Sequence, residues 1–150
     1  GVLVFNFFNF RKKAKCFAGD VGSVGIAFII LFALGKLILL TGDFTYILLL
    51  AVYGVDSVLT IVHRMMLHEN IGEAHRKHVY QLMANELEIP HVVVSIIYMC
   101  LQLVVSFGLI LLPMSHWIYF MVVLSVLCII YVWFKKKYYY LHEEYLRSIG

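Results

Sequence analysis

Charge is what this chain has least of. Of its 150 residues only 14% are charged against 63% hydrophobic, and the mean hydropathy is +0.90. A water-soluble domain needs a charged surface to hydrate, so this composition excludes an ordinary soluble globule and makes a bilayer the natural solvent. Cysteine is scarce too: Cys16 stands beside basic residues, while Cys100 and Cys128 lie inside apolar runs. Those positions offer neither metal-ligand spacing nor a paired framework, and all three are read as reduced and structural. The N-terminus lacks the basic start, short apolar core and small-residue cleavage site of a secretory signal. It opens at Gly1 without an initiator methionine, and the chain is expected to be a piece of a longer protein.

What is present is apolar length. Four runs, 23–40, 44–62, 92–112 and 117–134, approach the ~20 residues that a helix needs to cross the hydrocarbon core. The first breaks at Thr41, Gly42 and Asp43, which carry turn chemistry, and the third at Pro113. The predicted fold is therefore all-α, a polytopic membrane helix bundle of about four transmembrane helices in a single domain. Between the second and third runs, residues 73–87 carry good helix formers and an apolar stripe of Val79, Leu82, Met83 and Leu87. That pattern predicts a short cytoplasmic amphipathic helix lying at the membrane interface, with His75 and His78 one turn apart on one face.

The basic residues set the orientation. Eleven of the twelve fall in segments 1–22, 63–91 and 135–150, and none falls in the two short turns. The positive-inside rule places those three segments in the cytoplasm, with the fourth span ending on Lys135, Lys136 and Lys137. Lys36, the exception, snorkels to the opposite interface. In a soluble protein such basic clusters would suggest nucleic acid; between apolar spans they set topology, and no nucleic-acid partner is expected.

Chemistry-bearing side chains gather on the basic side. Asp20 stands between Gly19 and Gly22 just before the first span, where glycine lets backbone approach a ligand and a carboxylate suits Mg²⁺. The same residues equally read as a turn and a helix N-cap. His75, Arg76, Lys77 and His78 form a dense cationic, hydrogen-bonding cluster fit for phosphates, or a solvated turn that meets lipid headgroups. Asp56 is an ionisable group inside an apolar span, hence a functional candidate, or a residue that caps or pairs with a neighbour. His63 marks the end of that span, and Asn9 and Phe10 precede the first basic cluster, where they read as loop anchors.

Taken together, Phe-x-Gly-Asp-x-Gly-Ser at 17–23, an acid in the next span at Asp56, and His-x-x-His at 75–78 resemble the polyprenyl-phosphate N-acetylhexosamine-1-phosphate transferases, glycosyltransferase family 4. The resemblance covers about the first two thirds of the chain; the last two spans match only as hydrophobic helices. It implies a multi-pass enzyme of the bacterial inner membrane whose cytoplasm-facing site moves a sugar 1-phosphate from a UDP-N-acetylhexosamine to polyprenyl phosphate, releasing UMP. On that resemblance Asp20 is catalytic and a ligand of Mg²⁺, with Mn²⁺ an alternative. His75 and His78 lie on the diphosphate side together with Arg76 and Lys77, while Phe17, Asn9 and His63 belong to the nucleotide pocket. A homodimer is compatible with it.

The chain also departs from the family. Lys77 replaces the middle histidine of the His-x-His-His pattern and Ala18 the usual methionine, which points to initiating transferases rather than the peptidoglycan branch. The family's upstream acidic pair and its later Asn and Asp motif are absent, so the chain is expected to be the C-terminal part of a larger transferase. Two other classes stay open: a small carrier or channel that uses Asp56 and the histidines, and a non-catalytic membrane fragment.

Overall fold

A computed structural model describes residues 19–72 and 77–149; the side chains of Asp20 and of residues 142–149 lie outside that description. Among the described residues four helices are long and apolar enough to cross a membrane, Val21–Thr41, Phe44–Met66, His91–Leu111 and His116–Leu141, so the protein is all-α and membrane-embedded. The chain divides into two compact units, Gly1–Ile47 and Leu48–Gly150.

The first unit holds α1 (Gly19–Thr41), which is apolar around its whole circumference, as lipid contact requires. Gly19 has φ +64°, a left-handed conformation that glycine adopts without strain, and the helix starts there. Asp20 thus lies in the first helical turn rather than in a loop reaching to residue 22. At the other end Gly42, at φ +66°, donates its N–H to the Ile38 carbonyl (2.8 Å) and closes the helix. Asp43 Oδ1 then accepts the Thr45 amide at 2.9 Å, starting the next segment where the turn chemistry placed it.

The second unit is built from α2 (Ala51–Met66), entered through a 3₁₀ segment at Phe44–Leu50, with α3 (Val79–Asn85), α4 (His91–Leu111) and α5 (His116–Ile149). Val52, Val55 and Asp56 of α2, Val94, Tyr98, Val105 and Leu109 of α4, and Leu127 and Tyr131 of α5 turn inward as stripes at helical spacing. At the 3₁₀-to-α junction the Leu48 carbonyl and the Val52 amide both meet a side chain of α4. Gln102 of α4 joins both, its Nε2 donating to Leu48 (2.9 Å) and its Oε1 accepting from Val52 (3.1 Å). In hydrocarbon such backbone groups need a protein partner, and one side-chain amide supplies it.

Three expectations are corrected. The short helix covers Val79–Asn85 rather than 73–87, and it packs on α4 and α5 with Leu82 fully buried. His78 precedes it as the N-cap rather than lying on its face; residues 73–76, with His75 and Arg76, lie outside the described residues. α5 runs straight through Lys135, Lys136 and Lys137 to Ile149, because the tail contains good helix formers and neither proline nor glycine before Gly150.

Candidate functional site

At one end of the second unit, α2 from Asp56 onward, the loop after it, the start of α3 and the far half of α5 converge. Asp56, only 4% exposed, is the centre of this end. Its Oδ2 accepts the Tyr98 hydroxyl at 2.9 Å, and its Oδ1 accepts the Val79 amide at 2.9 Å and the Thr60 hydroxyl at 3.3 Å. Thr60 in turn shares a 2.9 Å hydrogen bond with the Tyr131 hydroxyl of α5. A buried carboxylate is tolerated only with such donors around it, and here three elements provide them. Beside it a cavity of about 180 Å³ opens among Val55, Ile97, Leu101, Ile130 and Phe134, walled mostly by hydrocarbon.

His78 stands next to this carboxylate. Its Nδ1 lies 3.7 Å from Asp56 Oδ1, an electrostatic approach longer than a hydrogen bond, and its ring stacks on Tyr80 at 5.4 Å between centroids. Gln81 Oε1 accepts the His78 amide at 3.3 Å, which fixes the turn into α3. With the Nδ1 edge toward Asp56, Nε2 occupies the opposite edge of the ring.

About two turns beyond Asp56 on α2, Arg64 shapes the loop. It is 2% exposed, and its guanidinium donates to Glu69 Oε2 at 3.1 Å and to the carbonyls of Asn70 and Ile71. A planar fork of donors satisfies several loop acceptors at once, which an ammonium does less well. Glu69 also pairs with Lys77, so the two ends of the 67–78 loop are joined through one carboxylate. The Lys77 hydrogen bond, aided by Arg64 and opposed by burial, holds the Glu69 carboxyl below its ordinary range. Burial pulls the Lys77 ammonium down, but Glu69 and Tyr139 outweigh it and the net shift is upward.

α5 closes the arrangement. Lys135, 6% exposed, donates from Nζ to the Lys77 carbonyl and lies over the rings of Tyr131 and Tyr139, at 5.7 and 5.0 Å. His63 meets Tyr139 edge-on at 5.0 Å, and its buried Nδ1 finds no hydrogen-bond partner among the described residues.

Of the residues singled out from sequence, this end brings together Asp56, His63, Lys77 and His78. Asn9, Phe17, His75 and Arg76 lie outside the described residues, and Asp20 belongs to the other unit with its side chain outside the description. Sequence reasoning did not single out Thr60, Arg64, Glu69, Tyr98, Tyr131 or Lys135 for this network. Lys135 had a readable signal: Leu127, Tyr131 and Lys135 recur every four residues, so the lysine continues a buried stripe. Among the described residues no group of three His, Cys, Asp or Glu side chains could hold a metal ion, and both Asp56 oxygens are engaged by donors. The described residues thus do not by themselves fit a divalent cation. No family model matches the chain, and neither a curated protein nor a solved structure matches it significantly.

Proposed function

We propose that this chain is part of a membrane transferase that moves an N-acetylhexosamine 1-phosphate from a UDP-sugar to polyprenyl phosphate, releasing UMP, at the inner membrane of a bacterium. The ordered motifs at 17–23, 56 and 75–78 motivate the reading. The observation that carries it is that two of the three, 22 residues apart in sequence, meet: Asp56 accepts the Val79 amide at 2.9 Å and lies against His78. An acid inside a span is thereby tied to the segment that the resemblance assigns to the diphosphate.

In this reading a lipid phosphate oxygen attacks the sugar-bearing β-phosphorus. The new P–O bond forms as the bridging bond to the α-phosphate breaks, and UMP leaves with the electron pair. Little covalent work falls to the protein, so its task is to position the substrates and to meet the growing negative charge. His78 Nε2, on the ring edge away from Asp56, is the donor we assign to a phosphate oxygen, with His75, Arg76 and Lys77 completing the cationic side. Asn9, Phe17 and His63 are assigned to the nucleotide. The proposal includes Mg²⁺ or Mn²⁺ with Asp20 as the ligand that this chain offers, and further ligands from a segment beyond this sequence.

The basic end, carrying Arg64, Lys77 and Lys135, is assigned to the cytoplasm by charge. The carrier alternative is less well supported, because Asp56 has both oxygens committed to structural donors beside a largely hydrocarbon-walled cavity. The test is UMP release by the full-length protein with a panel of UDP-N-acetylhexosamines and polyprenyl phosphate at saturating Mg²⁺. Asp20→Asn keeps size but removes charge, and should lower kcat by about 10²-fold or more in well-folded protein. Near-normal turnover in that variant would refute the role of Asp20.

A further inference from the structure

The backbone on the two sides of His78 is held by buried groups of opposite charge from two different spans. On one side, Lys135 of α5 donates to the Lys77 carbonyl; on the other, Asp56 of α2 accepts the Val79 amide at 2.9 Å. Lys135 is 6% exposed and sits over Tyr131 and Tyr139. Tyr131 links the two grips, since its hydroxyl bonds Thr60, which bonds Asp56. Burying an ammonium at the end of a membrane helix is costly, and mere packing would be served by leucine or methionine. What the ammonium does here is orient one peptide carbonyl next to the histidine.

We propose that Lys135 and Asp56 are a pair of positioning residues that fix the peptide segment bearing His78, so that the backbone carrying the imidazole is held on both sides, in addition to the ring's own approach to Asp56 and stacking on Tyr80. Lys135 lies in the last span, which the family motifs do not reach, so this assignment comes from the geometry at Lys77 and Val79. In its catalytic consequence it rests on the transferase reading. A residue that acts in this way leaves substrate binding largely intact and changes how often the imidazole stands in its productive place.

The experiment has two arms on the full-length protein in detergent. Amide hydrogen exchange of the peptide covering 77–82 reads the grip directly. Steady-state UMP release reads its consequence. Lys135→Met, which keeps length and removes the donor, should speed exchange of that peptide by about tenfold or more while α4 stays protected. It should also lower kcat by about tenfold or more at an unchanged KM for both substrates. Lys135→Arg, which retains a donor, should restore slow exchange and most of the kcat. Unchanged exchange in Lys135→Met, or activity lost only in proportion to folded protein, would overturn the proposal. If Lys135→Met gives no monodisperse protein, Lys135→Arg carries the test: wild-type exchange supports the grip and loosened exchange overturns it. Should the wild type release no UMP from any UDP-sugar while Lys135→Met loosens the peptide, the transferase reading fails and the grip on the 77–79 segment stands.

Discussion

The two ends of the α2–α4–α5 unit are closed in opposite ways. At the turn between α4 and α5, the closure uses no charge: the Tyr119 hydroxyl donates to the Val105 carbonyl at 2.9 Å, passing over Gly108, where any Cβ would collide with the phenol. Small residues that allow close approach, with hydroxyls as hydrogen-bonding partners, are the ordinary means of joining helices in lipid. At the opposite end a loop of irregular backbone is held by Asp56, Arg64 and Lys135, all nearly inaccessible, with Glu69 and Lys77 at the margin. A short turn needs one contact, whereas a long polar loop has many carbonyls and amides to satisfy, and ionised groups bind them more strongly. The costlier end is where function is to be sought.

The sharpest way to use that contrast is to strike each end and compare activity with stability. His78→Ala should lower kcat for UMP release by about 10²-fold with detergent-solubilised yield and size-exclusion profile unchanged, since the segment is gripped through its neighbours. A stable variant with normal turnover would leave the charged end without its assigned task. Arg64→Met leaves Glu69 with Lys77 alone and strands two loop carbonyls, and should cost about 2–3 kcal/mol in thermal or denaturant unfolding in detergent. At the uncharged end, Gly108→Ala drives Tyr119 off the Val105 carbonyl and should cost about 1–2 kcal/mol, with the specific activity of the recovered protein unaltered. Loss of specific activity there would break the division between the ends.

The smallest effect is a pH dependence confined to the charged loop. Because the Glu69 pKa is lowered on folding, principally by Lys77, its contribution is present above the ordinary carboxylate value of 4.5 and fades as pH falls through the lower folded value. Unfolding midpoints should therefore drop on acidification below about pH 4.5, and Glu69→Gln should flatten that part of the profile. An identical acid limb in wild type and variant would assign the loss to other carboxylates.

Much of this was legible in the residues themselves. Apolar runs of membrane length predicted all four spans, and Thr41, Gly42 and Asp43 predicted the first turn, because both signals are local properties of the chain. Asp56 was legible as an exception, since an ionisable group in an apolar run must find partners. Its partners were not, because Tyr98, Thr60 and the Val79 amide come from separate segments and carry no mark of the pairing. Tertiary structure alone decided that the helix after His78 starts at Val79 and packs on α4 and α5, where propensity over 73–87 favoured a longer helix. It alone decided that Lys135 faces inward while Lys136 and Lys137 face outward, since one point of a helix's circumference meets the Lys77 carbonyl. Spans and turns follow from short-range sequence pattern and the bilayer; the identity of each buried charge's partner follows from which helices pack together, a long-range outcome that no local pattern encodes.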